Sequence, residues 1–320
     1  DIETTIPGHR AHPSIKCIAM SHEHGSSLVV PTMGLAPDSP TISILRDVLE
    51  CWDGARLIFH NGLYDTYWLS RLWSVRAPAW TLDTLAMHHA LDPAEDHDLA
   101  YLASIYTRES YWKDMPDSGS LDDLHVYCGI DACVTRELAH IFMDDLELGH
   151  RMPFYDQYYG TMLGPLRRLM LTGIKVDDLQ RSEIESALLV QALTTKSTLL
   201  GGAPEETLFG KQGGLSNSKL RTWFHSLGLP RQYSRKTGHE TLDETAIRNL
   251  MRRLPDKVQA LGAHILKLRQ TQKALEFVDH TAIDPDGRLR ASFAPFAETG
   301  RLRSSGNPFG TGRNLQNVQA

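Results

Sequence analysis

Asp1-Ile2-Glu3 alternates acid, apolar, acid. On a strand the side-chain period is two, so both carboxylates emerge on one face while Ile2 enters the core. Acids that close repel one another, and Mg²⁺ or Mn²⁺, hard cations that prefer oxygen ligands, relieve the repulsion. A second acidic element, Asn61-x-x-Tyr64-Asp65, follows an apolar run ending at Phe59 and the turn signal His60-Asn61-Gly62. A third, Tyr127-Cys128-Gly129-Ile130-Asp131, sets a phenol and a carboxylate four apart, on one face of a helix. Each has a plain structural explanation when taken alone. Asp1 and Glu3 would suit a wet edge strand, and Asp65 the favourable first turn of a helix. Tyr127 and Asp131 would be coincidence.

The elements that must position these residues read as a mixed α/β pattern. A strand, a polar loop and a second strand around Ile15–Met20 open the chain, and Leu28–Val30 forms a third. A helix over Ser43–Trp52 leads into a strand-length apolar run, Arg56–Phe59, and a helix over Tyr64–Leu72 follows the turn. Helical periodicity covers Leu82–Leu91, stopped by Asp92-Pro93, then His97–Tyr106, then Leu121–Leu148 with a break or bend at Gly129.

From about Tyr155 the texture becomes long helices. Met162–Leu171 ends at Thr172-Gly173, and Ile174–Val176 is short and extended. Helices are expected over Leu179–Leu200, Ser216–Leu227, Asp243–Arg253 and Lys257–Phe277. The tail is β-like, with a turn at Asp284-Pro285-Asp286-Gly287 and a strand over Arg288–Phe293.

Charge divides the 320 residues more sharply than composition does. Residues 1–150 hold 9 basic and 23 acidic residues, net −14, whereas 151–320 hold 24 and 16, net +8. The overall net charge of −6 argues against a polyanionic partner, but its distribution leaves the second half able to meet one. No apolar run reaches the ~18 residues of a membrane span, which excludes a transmembrane helix. Cys17, Cys51, Cys128 and Cys133 form no C-x-x-C pair and read as free thiols in a reducing compartment.

The order D-x-E, N-x-x-Y-D, Y-x-x-x-D over about residues 1–145 resembles the three motifs of DEDD exonucleases, in their tyrosine (DEDDy) branch. Thr81-Leu82-Asp83-Thr84, Leu91-Asp92-Pro93 and His97-Asp98-Leu99 are similar to that family's linking segments. The resemblance implies an RNase H-like mixed-sheet domain over 1–150 with two divalent cations, Mg²⁺ or Mn²⁺, about 4 Å apart across a scissile phosphate. Asp1, Glu3 and Asp131 would be direct ligands, with Asp1 shared between the metals and Asp65 acting mainly through water. Tyr127 would orient the attacking water, and Asn61 would support substrate or backbone.

The basic half resembles the start of the polymerase region of family A (polymerase I-like) DNA polymerases. The similarity runs from Met162–Leu166 and Met170–Asp177 through Ser216–Leu220, Leu227–Pro230 and Lys236–Gly238. Thr299-Gly300-Arg301-Leu302-Arg303-Ser304-Ser305, followed by Asn314-Leu315-Gln316-Asn317, carries it most clearly. It implies a helical thumb and the first strands of a palm over 151–320, binding primer–template DNA, with a single-stranded 3′ end as the exonuclease substrate. Arg301 would lie near the primer terminus, Gln316 and Asn317 towards the template with Asn314 also at the DNA, and Lys267, Arg269 and Lys273 at phosphates from a helix.

An eight-residue stretch, Gly306–Arg313, separates the two signatures and is longer than the family's usual link. The expectation is therefore an N-terminal fragment of a cytoplasmic bacterial or phage enzyme. It would carry proofreading and duplex binding but not the polymerase carboxylates, which in the family lie beyond a position such as Ala320. Two alternatives are a free-standing DEDDy exonuclease with a helical accessory domain and a non-catalytic duplex-binding module.

Overall fold

The computed structural model describes residues 1–5, 13–50, 57–76, 81–210, 213–252, 256–279 and 282–317. Cys51, the expected helix ends at Trp52 and Arg253, the strand start at Arg56 and part of the first polar loop lie outside these residues.

Strands β1 (Ile2–Thr4), β2 (Ile15–Glu23) and β3 (Ser26–Pro31) form an antiparallel sheet in that order, with Ile2 opposite Ile18 and Glu3 opposite Cys17. Ile2, Ile15 and Ile18 pack with Trp68, Leu69 and the Ile42, Leu45 and Leu49 stripe of helix α1 (Pro40–Glu50). Strand β4 (Leu57–Phe59) runs parallel to β5 (Thr81–Asp83), a pairing that requires a crossover, and α2 (Gly62–Trp73) supplies it. The antiparallel trio and this parallel pair are separate ladders among the described residues.

Helix α3 (Thr84–Leu91) begins two residues later than its periodicity suggests. Leu82 and Asp83 belong to β5, and the Asp83 carboxylate caps α3 by accepting from the Leu85 and Ala86 N–H groups. Asp98 caps α4 (Leu99–Tyr106) in the same way, leaving His97 ahead of the helix.

Helix α5 (Leu121–Leu148) runs unbroken for 28 residues behind the Ser120 cap. Gly129 does not bend it. A Cβ at that position would lie 2.8 Å from Ser27 Oγ and 3.2 Å from Val29 Cγ2, so the glycine is there to let α5 approach β3.

Helix α6 (Met152–Tyr155), a π-helical turn over Asp156–Gly160 and α7 (Thr161–Thr172) follow, and α7 stops at Gly173, whose positive φ of 62° favours glycine. Strand β6 (Ile174–Lys175) pairs with β7 (Arg288–Leu289), and β8 (Ser292–Ala294) with β9 (Arg303–Ser305). The expected single strand over Arg288–Phe293 is thus split. Its divide is Arg290, whose buried guanidinium bonds Asp284, Asp286 and the Leu171 carbonyl.

The chain forms two compact units, Asp1–Lys175 with Ile283–Val318, and Val176–Ala282. In space, then, residues 151–175 and the β-like tail join the N-terminal elements across the expected domain boundary at residue 150. Tyr155, Tyr159, Leu166, Met170 and Phe293 share one core with Leu138, Phe142 and Leu146 of α5.

The second unit is helical: α8 (Asp178–Leu200), α9 (Glu205–Leu208), α10 (Asn217–Ser226), α11 (Glu244–Met251) and α12 (Asp256–Val278). Asp177, Ser216 and Asp243 cap α8, α10 and α11. Leu199, Phe224, Ile247 and Ile265 anchor its core. No helix among the described residues is long and apolar enough to cross a membrane.

Candidate metal-dependent active site

The alternation in Asp1-Ile2-Glu3 does what strand geometry requires. Ile2 is buried, while Asp1 and Glu3 bring carboxylate oxygens within 4.8 Å of each other and of the Cys128 sulfur. Cys128 Sγ donates to Asp1 Oδ2 at 3.3 Å. Its bond with Cys17, and then burial, push the thiol pKa far up, so in the metal-free protein Cys128 is a neutral donor to Asp1. The remaining ligand set is oxygen, which suits a hard divalent cation.

Asp65 is placed by a chain of backbone bonds. Asn61 adopts a left-handed conformation (φ 61°), and its N–H and that of Gly62 donate to the Asp83 carboxylate at 3.2 and 2.8 Å. A Cβ on Gly62 would fall 2.7 Å from Phe59 Cβ, so the turn into α2 closes only with glycine. Asp65, in the first turn, is therefore buried, and its Oδ1 accepts the Ile2 N–H at 3.2 Å.

Helical spacing puts Tyr127 and Asp131 on one face of α5, and two residues that sequence reasoning missed hold them there. Trp112 Nε1 donates to Asp131 Oδ1 at 2.6 Å. Lys113 Nζ donates to Asp131 Oδ1 and Oδ2 at 2.8 and 2.9 Å and to Tyr127 Oη at 3.0 Å. Trp112 and Lys113 sit between helices, where neither periodicity nor a motif marks them. Asp83 entered the sequence reading only within a linking segment, yet it positions both Asn61 and α3.

Burial first, then the Asp131 charge, raises the Glu3 pKa from 4.5 to about 7 against the pull of Lys113. Burial likewise lifts Asp65 from 3.8 to about 6. Tyr127 is pushed up by burial and by Asp131, so its phenol stays protonated at neutral pH. Acids held that far above their ordinary range form a cluster that cation binding would stabilise.

The site opens into a cavity of about 670 Å³ within the first unit. Asp1, Asn61, Lys113 and Asp131 line it together with Phe296, Glu298 and Arg303 of the tail. Glu3, Asp65 and Tyr127 join this group through the contacts above.

The expected duplex-binding residues divide between the two units. Gln316 Nε2 donates to the Leu302 carbonyl at 2.6 Å, the Leu315 N–H to Ser304 Oγ at 3.3 Å, and the Gln316 N–H to Asn314 Oδ1 at 2.9 Å. These bonds bring Asn314 and Gln316 beside the strand that follows Arg301. Arg301 is exposed, and Asn317 ends the short helical turn of Leu315–Asn317. In the second unit Lys267 and Lys273 are exposed on α12. Arg269 is engaged internally, donating to the Leu242 carbonyl and to Asn217 Oδ1 at 2.5 Å each.

No protein-family model matches the chain, and no curated protein matches it. Among solved structures, it is similar to the POL domain of Pol1 from M. smegmatis in complex with DNA primer-template and dNTP. The match has a TM-score of 0.69 at 20% sequence identity and covers 100% of this chain but 52% of that one. The chain thus has a DNA polymerase-like fold and spans about half the length of the structure it matches.

Proposed function

We propose that the chain is part of a family A-like DNA polymerase, with 1–150 an RNase H-like DEDDy 3′–5′ exonuclease and 151–320 the thumb and initial palm. One observation carries the reading: Asp1 and Glu3 bring carboxylate oxygens within 4.8 Å of each other, Asp1 and Asp131 line one cleft, and Asp65 bonds the strand that bears Asp1 and Glu3. The polymerase-like fold supports the assignment of the rest. Glu3 and Asp65, held by burial above the ordinary carboxylate range, favour the catalytic reading over a duplex-binding module.

Asp1, Glu3 and Asp131 would hold two Mg²⁺ or Mn²⁺ ions, with Asp65 supporting them. Bound there, the cations would supply a nucleophile at neutral pH and offset charge on the leaving 3′ oxygen. The chain's own groups do the positioning. Tyr127, a neutral phenol, offers a hydrogen bond to the attacking water or a phosphoryl oxygen. Asn61 faces the cavity and can support the substrate's backbone.

The direct test is release of mononucleotides from a 5′-labelled single-stranded DNA with Mg²⁺, Mn²⁺ or EDTA. Stepwise shortening from the 3′ end with either metal and none with EDTA is the expected result. A chain that binds DNA but never shortens it leaves the binding-module alternative standing.

A further inference from the structure

Lys113 lies outside every motif, yet its ammonium makes three hydrogen bonds in the site. Nζ bonds both Asp131 oxygens and the Tyr127 oxygen, and it stands 5.0 Å from the Trp112 ring centre and 4.7 Å from that of Tyr127. Two aromatic faces and a carboxylate fix the cation where it is.

An ammonium donates and cannot accept. At 3.0 Å from Tyr127 Oη it must be the donor, so the phenol's own proton is turned away from Lys113; Asp131 beside it is one acceptor, and a bound substrate would be a second. Lys113 also occupies both oxygens of Asp131, so any cation arriving at that carboxylate meets a resident positive charge.

Resting on the nuclease reading above, we propose that Lys113 is a positioning residue that makes Tyr127 a hydrogen-bond donor for the substrate and weakens metal binding at Asp131. The first effect serves turnover. The second keeps the cation exchangeable, so that metal occupancy follows its concentration.

The test compares the wild type with Lys113→Met, which keeps length and removes charge and donors, and Lys113→Arg, which keeps charge. Mn²⁺ binding without DNA is read by titration calorimetry, and kcat and KM by nucleotide release from single-stranded DNA. Lys113→Met should bind Mn²⁺ about 10-fold more tightly, because a charge partner at this range shifts ionic equilibria by about that much. Its kcat should fall about 10–100-fold with KM held within about twofold, the scale of a lost supporting contact. Lys113→Arg should keep wild-type Mn²⁺ affinity and recover part of kcat.

Tyr127→Phe should add little to the loss in Lys113→Met, since the two act as one unit. Unchanged or weaker Mn²⁺ binding in Lys113→Met overturns the proposal, and so does an unchanged kcat. A wild type that releases no nucleotide removes the nuclease reading, and the Mn²⁺ comparison then decides alone whether Lys113 opposes cations at Asp131.

Discussion

Asp65 Oδ1 accepts the main-chain N–H of Ile2 at 3.2 Å, so the acid of α2 holds the strand that presents Asp1 and Glu3. One carboxylate thereby sets the place of two others. Asp65→Asn keeps an acceptor for the Ile2 amide, and Asp65→Ala orphans it at a cost of about 1–3 kcal/mol. Nucleotide release should fall by at least about 10²-fold in both variants. Thermal stability should drop clearly only in the alanine variant, read by calorimetry. An asparagine variant that keeps its activity removes Asp65 from the site.

The parts of this site that could be read beforehand are those governed by backbone period. A period of two placed Asp1 and Glu3 on one face, and i to i+4 spacing did the same for Tyr127 and Asp131. The left-handed turn at Asn61 was announced by Asn-Gly. Trp112, Lys113 and Asp83 were not legible, because each acts through a contact between residues distant in sequence. Gly129 was read as a local bend when its cause is tertiary, the nearness of Ser27 and Val29. Arg290 breaks the expected strand for a local reason: its ion pairs with Asp284 and Asp286, six and four residues earlier, override strand alternation.

Glu3 should make the metal-free protein less stable as pH rises. Its folded pKa of about 7 exceeds the ordinary value of 4.5, so the folded state holds a proton that the unfolded chain has released. That contribution is full below about pH 4.5 and is lost as pH rises through about 7. Asp65 adds the same sign between 3.8 and about 6. In EDTA at about pH 8, Glu3→Gln should melt several degrees above the wild type, and at about pH 5 the gap should close. Mg²⁺ should raise the wild-type Tm at the higher pH and move the variant far less. A wild type that melts above Glu3→Gln in EDTA at the higher pH contradicts the electrostatic account.

Arg301 is exposed, and its side chain has no bonded partner among the described residues, which leaves the guanidinium free for phosphate. Arg301→Ala should weaken primer–template binding about 5–10-fold at low salt and reduce the slope of log K against log salt by about one. Single-strand shortening should change by less than about twofold, because Arg301 is not among the residues lining the cleft at Asp131. Fluorescence anisotropy at several salt concentrations gives the slope. An unaltered slope would mean that Arg301 meets no phosphate.

The stretch Gly306–Arg313 is more than a long link. Phe309 stands edge-on to Trp68 and Tyr67 of α2, with ring centres 4.5 and 5.3 Å away, and Arg71 lies 5.7 Å over its ring. Asn307 closes the loop by accepting from the Phe309 and Thr311 N–H groups, and Thr311 reaches Asp284, which also pairs with Arg71. The tail is thus clipped to the helix whose first turn carries Asp65. Phe309→Ala removes two aromatic contacts from a half-buried ring. Its cost should be about 2 kcal/mol, below the ~3–5 kcal/mol of a fully buried phenylalanine. Because α2 carries Asp65, the loss should reach the chemistry as well, lowering kcat severalfold while Phe309→Leu, which still fills the space, keeps most of it. Denaturant melts and initial rates on single-stranded DNA separate the two effects. If the alanine variant loses stability but turns over as fast as the wild type, the clip holds the tail in place without steering Asp65.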